Sequence, residues 1–166
     1  IVLNNPSVGA YVPRFHRYEV SSEVIALVLK TFASVFDHVA VWSTNRADLM
    51  LLGFRDADLA LDVERLGRRA QRADFHAVME RLGMRDLPML LAHESIPRGV
   101  VKVAAIRGPI HSLYHPRLNF EAGRAFFVGQ QGDLPFTGYG EPAEVGAANS
   151  LVRRLAERSD LRWILT

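Results

Sequence analysis

Apolar residues recur at helical spacing from Ser22 onward. Val24, Leu27, Val28, Val35 and the aromatic pair Phe32 and Phe36 make one broad face, with polar residues between them. The spacing predicts a helix over 22–36. Ser22 is placed to cap it, and Glu23 falls in the first turn, where the helix dipole favours an acid. The pattern then changes to short unbroken apolar runs, Val39 to Trp42 and Leu49 to Leu52, separated by the polar connection Ser43 to Asp48. Runs of that length, apolar on both faces, suit strands inside a helix-covered sheet.

A helix feeding two strands joined by a short connection is how a methyltransferase-like (Rossmann-type) sheet ends. The expected fold class is therefore α/β: the C-terminal part of such a sheet, followed by a helical extension. On this expectation, residues 1–54 hold the last strands and a helix, 55–128 are mainly helical, and 129–166 form a linker and a C-terminal helix. Ile1 to Leu3 fits a short strand entering a turn-rich stretch, Asn4 to Gly9. Phe75, Val78, Met79 and Leu82 share one helical face, with Asp74 as a cap and Gly83 as the stop. Asp86 caps a second short helix carrying Leu87, Leu90 and Leu91, and Pro88 is tolerated in its first turn. Val100 to Ile106 fits either helix or strand. Gly129 to Pro142 reads as a loop, and Ala148, Leu151, Val152 and Leu155 as a last helix ending near Ser159.

Composition narrows the classes. Hydrophobic residues make up 49% of the 166, enough for a folded core, yet the longest apolar runs fall far short of the roughly 20 residues a membrane helix needs. The expectation is a soluble, cytoplasmic domain. A net charge of +2 with only Lys30 and Lys102 among the lysines disfavours nucleic acid as the main partner. The absence of cysteine removes thiolate catalysis and cysteine-ligated metals. His111 and His115 are four apart, but Pro109 and Pro116 interrupt a helix there, so no metal site is expected. No Gly-x-Ser-x-Gly elbow supports a hydrolase. Arg65, Arg68, Arg69 and Arg72 fall at i, i+3, i+4 and i+7, a stripe able to bind phosphates or anionic headgroups; as a solvated face paired with Glu64 and Asp62 it would be unremarked.

Three stretches resemble the spermidine synthase-like (aminopropyltransferase-type) family, especially bacterial members fused to membrane segments. They are Tyr18-Glu-Val-Ser-Ser-Glu with Leu29 to Trp42, Ala47-Asp-Leu-Met-Leu-Leu-Gly53, and His115-Pro-Arg-Leu-Asn-Phe-Glu-Ala-Gly-Arg-Ala-Phe-Phe127. The resemblance implies a parent protein that moves an aminopropyl group from decarboxylated S-adenosylmethionine, its co-substrate, to a diamine. It implies no cofactor held by this chain. Tyr18, Glu19 and Trp42 would face the polyamine, an aromatic ring beside a carboxylate being suited to an ammonium. For a single pair more weight falls on the plainer roles, Tyr18 stapling the helix start and Glu19 solvated. Trp42 could likewise be a core-rim aromatic.

The departures from the family point the other way. Its Asn-Thr-Asp-Asp run would fall at Ser112-Leu-Tyr-His115, which carries no acid, and Gly123 stands where Pro is usual. The glycine-rich nucleoside turn and the proton-accepting acidic loop would both lie before Ile1. No catalytic residue is assigned. The chain alone is expected to be inactive and to need the N-terminal half of the same protein, or an oligomeric partner, with membrane association coming through the parent. The alternative is a non-catalytic relative serving as a binding or interaction module.

Overall fold

The computed structural model describes residues 14–16, 20–43, 48–54, 63–129, 132–135 and 140–157. The segments expected to form the first strand and the turn-rich loop, together with Tyr18 and Glu19, lie outside these. The chain is a mixed α/β structure. Strand β1 (Arg14–His16) leads to helix α1 (Ser22–Ala33), which feeds strands β2 (His38–Ser43) and β3 (Asp48–Phe54). Helices α2 (Val63–Ala70), α3 (Ala73–Arg81) and α4 (Leu87–Leu91) follow, then strand β4 (Glu94–Ile96). Helices α5 (Val100–Val103), α6 (Arg117–Val128), α7 (Glu141–Asn149) and α8 (Leu151–Glu157) complete the described order.

The four strands form one sheet in the order β1-β3-β2-β4, with every pairing antiparallel. The expected strand pair is present: Val39 to Trp42 lie opposite Gly53 to Met50. Because β3 runs against both neighbours, β1 and β2 point the same way with β3 between them. Helix α1 is the crossover that joins them.

Alternation along the strands sorts the side chains onto two faces. Val39, Val41, Leu49 and Leu51 pack with Ile25, Leu29 and Phe32 of α1 and with Ile96, Val100 and Val101. Thus β4 and α5, from the stretch read as mainly helical, return to the sheet and close the same core. Three residues of β4 are too few to give a periodic signal. Val100 to Ile106, ambiguous by pattern, resolves as the short helix α5.

Several boundaries differ from the pattern. Ser21, not Ser22, caps α1, its hydroxyl accepting from Val24 N at 3.3 Å, while Ser22 Oγ accepts from Asp133 N. The helix ends at Ala33, so Val35 falls beyond it and is exposed. The buried side of α1 is wider than one stripe, since Ile25 and Leu29 are fully enclosed. It packs against the sheet and against α5 and α6, and α5 itself also rests on β2.

Asp86 does cap α4, accepting from Met89 N at 2.8 Å. Gly83, at φ +68°, terminates α3 as expected: Met84 N bonds Met79 O and Gly83 N bonds Glu80 O, both at 2.9 Å. Asp74, however, sits inside the first turn rather than capping it. The last helix is broken at Ser150 into α7 and α8. Among the described residues, no helix is long and apolar enough to cross a membrane.

Candidate functional site

Two hollows flank the sheet. The first opens at the N-terminus of α1. Since β1 runs into α1 and α1 returns to the start of β2, this helix end lies at the carboxyl edge of β1 and β2. The hollow measures about 350 Å³ and is lined by Ser21, Glu23, Glu121, Arg124, Ala125 and Val128. Helix α6 supplies the second wall because its inner residue Ala125 is buried as the helix packs on α1. Residues 121, 124, 125 and 128 then fall on one side of α6 by helical spacing.

Among the described residues, two carboxylates and one guanidinium line this hollow, an excess of one negative charge. The Ser21 hydroxyl bonded to Glu23, together with the backbone N–H at Glu23, holds that carboxyl below its ordinary range. Glu23 is therefore anionic throughout neutral pH. Such a hollow can take a cation carrying more than one ammonium, each with a carboxylate to pair with.

The second hollow lies on the opposite face of the sheet. Trp42, Ala40, Leu52 and Phe54 alternate away from α1, and with Leu151, Asn149, Glu94, Arg98 and Arg154 they line a mostly apolar cavity of about 220 Å³. Glu94 is the cross-strand partner of Trp42. Its carboxylate accepts from Leu151 N at 2.9 Å, tethering the start of α8. Burial pushes the Glu94 carboxyl above its ordinary range; the Leu151 N–H and the nearby Arg154 and Arg98 oppose the shift. On its other side Trp42 packs against the second core of Leu87, Leu91 and Leu155. Among the described residues, its buried Nε1–H has no partner.

Trp42 therefore walls a pocket, but not the one at the start of α1. Of the three residues expected to face a polyamine it alone is described, and a carboxylate beside it is that of Glu94. The arginine stripe is interrupted: α2 ends at Ala70, and Arg72 instead precedes α3. Arg72 pairs with Asp74 through both Nε (2.9 Å) and Nη2 (2.7 Å). Arg69 and Arg72 line an open hollow of about 430 Å³ with Asp74, Phe75 and Val78. Arg65 and Arg68 are exposed on α2, and each takes part in further interactions.

His111 Nδ1 accepts from Leu118 N at 3.1 Å, which fastens the chain ahead of α6, and His115 is exposed. Among the described residues, no three His, Cys, Asp or Glu side chains are grouped to hold a metal. Glu121 and Glu94 carried no sequence signal of their own. Glu121 reads as one polar position of an amphipathic helix, and Glu94 precedes a strand too short to recognise.

No family model, curated protein or solved structure gives a significant match to the chain.

Proposed function

We propose that this chain is the C-terminal portion of a spermidine synthase-like protein, closing a methyltransferase-like sheet, and that the intact protein transfers an aminopropyl group to a diamine. The carrying observation is the acidic hollow at the carboxyl edge of β1 and β2, with Glu23 and Glu121 on two different helices converging there. The strand order supports the same assignment. Two strands pointing one way, joined by a helix, with the next strand, β3, inserted antiparallel between them, suits the end of such a sheet, to which β4 adds an antiparallel edge beside β2.

In that reaction the amine nitrogen attacks the carbon bonded to the sulfonium of decarboxylated S-adenosylmethionine. The new C–N bond forms as the C–S bond breaks, methylthioadenosine leaves, and the nitrogen loses a proton. The contribution of this chain is positional. Glu23 and Glu121 would pair with the ammonium groups of the diamine and set its depth beside Arg124. In the intact protein we assign the chain to the cytoplasmic side, with any membrane segments elsewhere in the parent.

A non-catalytic relative, a module that binds polyamine or a partner without turnover, is favoured by one observation. The segment Ser112 to His115, where the family carries two acids, is here a turn without any, exposed from Leu113 to His115. Incubating the full-length protein with decarboxylated S-adenosylmethionine and putrescine, and assaying methylthioadenosine, decides between the two. Release above the no-enzyme level, reduced by Glu121→Gln, supports the transferase. Putrescine binding without release supports the module.

A further inference from the structure

We infer that the outer face of α6, together with the turn that precedes it, is a docking surface for an anionic phospholipid bilayer. Ser112 and His115 close a tight turn by bonding to each other in both directions, Ser112 N to His115 O at 3.2 Å and His115 N to Ser112 O at 3.1 Å. The two residues at its tip, Leu113 and Tyr114, are 95% and 92% exposed. A turn braced this way holds two large side chains in water at a hydrophobic cost.

Phe120 and Phe127, at i and i+7 on the side of α6 turned away from α1, continue the feature at 73% and 88% exposure. Gly123 falls between them with open space around it. Arg117, three residues before Phe120, edges this row and is exposed; Arg124, three before Phe127, is exposed at the border between the row and the hollow beside α1. An apolar aromatic row edged by arginine is the pattern of a helix lying in a membrane interface, rings in the acyl boundary and guanidinium groups at the phosphates.

Charge selects the occupant. On α6 itself two arginines, Arg117 and Arg124, stand against one acid, Glu121, which lines the hollow beside α1. A second copy of the chain would bring Arg117 and Arg124 against themselves across a two-fold axis. An anionic bilayer meets both the apolar row and the positive edge.

Vesicle co-sedimentation tests this. The chain is mixed with phosphatidylcholine vesicles, or with vesicles of equal parts phosphatidylcholine and phosphatidylglycerol. Binding to the anionic vesicles is expected to exceed binding to phosphatidylcholine on the order of tenfold and to weaken as salt is raised. The double substitution Leu113→Ser with Tyr114→Ser, and separately Arg117→Gln, should each lower it by roughly tenfold with the melting temperature unchanged. Failure to bind either vesicle, or binding indifferent to both variants, overturns the inference. So does a concentration-dependent dimer that the Leu113/Tyr114 variant dissolves, since the face would then be covered by a second copy.

Discussion

Gly53 on β3 lies directly against the ring of Phe36: a Cβ on the glycine would stand 2.6 Å from both Cγ and Cδ2 of that ring, and 2.9 Å from Phe32 Cε1. The two rings are themselves in contact, centroids 4.7 Å apart. The bare backbone at 53 thus lets the end of α1 and the residues after it settle onto the sheet. Gly53→Ala should destabilise the chain by about 1–3 kcal/mol through overpacking, measured by denaturant titration. An unchanged midpoint would mean that Phe36 does not close on β3.

The same helix provides an internal comparison. Phe32 is buried in the main core, whereas Val35, assigned to the same face by periodicity, is exposed beyond the helix end. Phe32→Ala should cost about 3–5 kcal/mol. Val35→Ala should stay within about 0.5 kcal/mol. Equal losses would contradict the placement of the end of α1 at Ala33.

Glu94 gives the stability a pH dependence of known sign. Its carboxyl is raised by burial, so between the ordinary glutamate range and the raised value the folded chain keeps a proton that the unfolded chain has released. Stability should therefore fall as pH rises through that window and level off on either side. The amide introduced by Glu94→Gln can still accept from Leu151 N but cannot ionise. Thermal melts across the acidic range should show the native chain losing stability relative to the variant as pH rises, against the opposite trend that lowered carboxyls such as Glu23 give both chains; matching pH profiles would remove Glu94 as a source.

How legible these features were follows from how local their causes are. The helix from 22, the strand pair, the Asp86 cap and the Gly83 stop depend on residues within a few positions of one another, and pattern finds them. β4 and its return to β2 depend on pairing across about fifty residues, Trp42 with Glu94, which no local period encodes. The two hollows are harder still. Glu23 was visible only as a first-turn acid, and Glu121 only as a polar position on a helix. Their meeting depends on α6 packing against α1. Trp42 was recognisable as a pocket wall, but the face it occupies is fixed by strand register: Val41 pairs with Leu51 toward α1, so Trp42 must point away.

The central claim, that the hollow at the start of α1 receives a diamine, is tested most directly by calorimetric titration of putrescine into the folded chain. Saturable binding is predicted, absent for the uncharged diol of the same length. Glu23→Gln and Glu121→Gln should each weaken it by roughly tenfold, the loss expected when one charge-assisted contact is removed. Trp42→Ala, across the sheet, should leave it unchanged. No heat at millimolar putrescine in a folded sample, or binding that both carboxylate variants retain in full, would contradict the account.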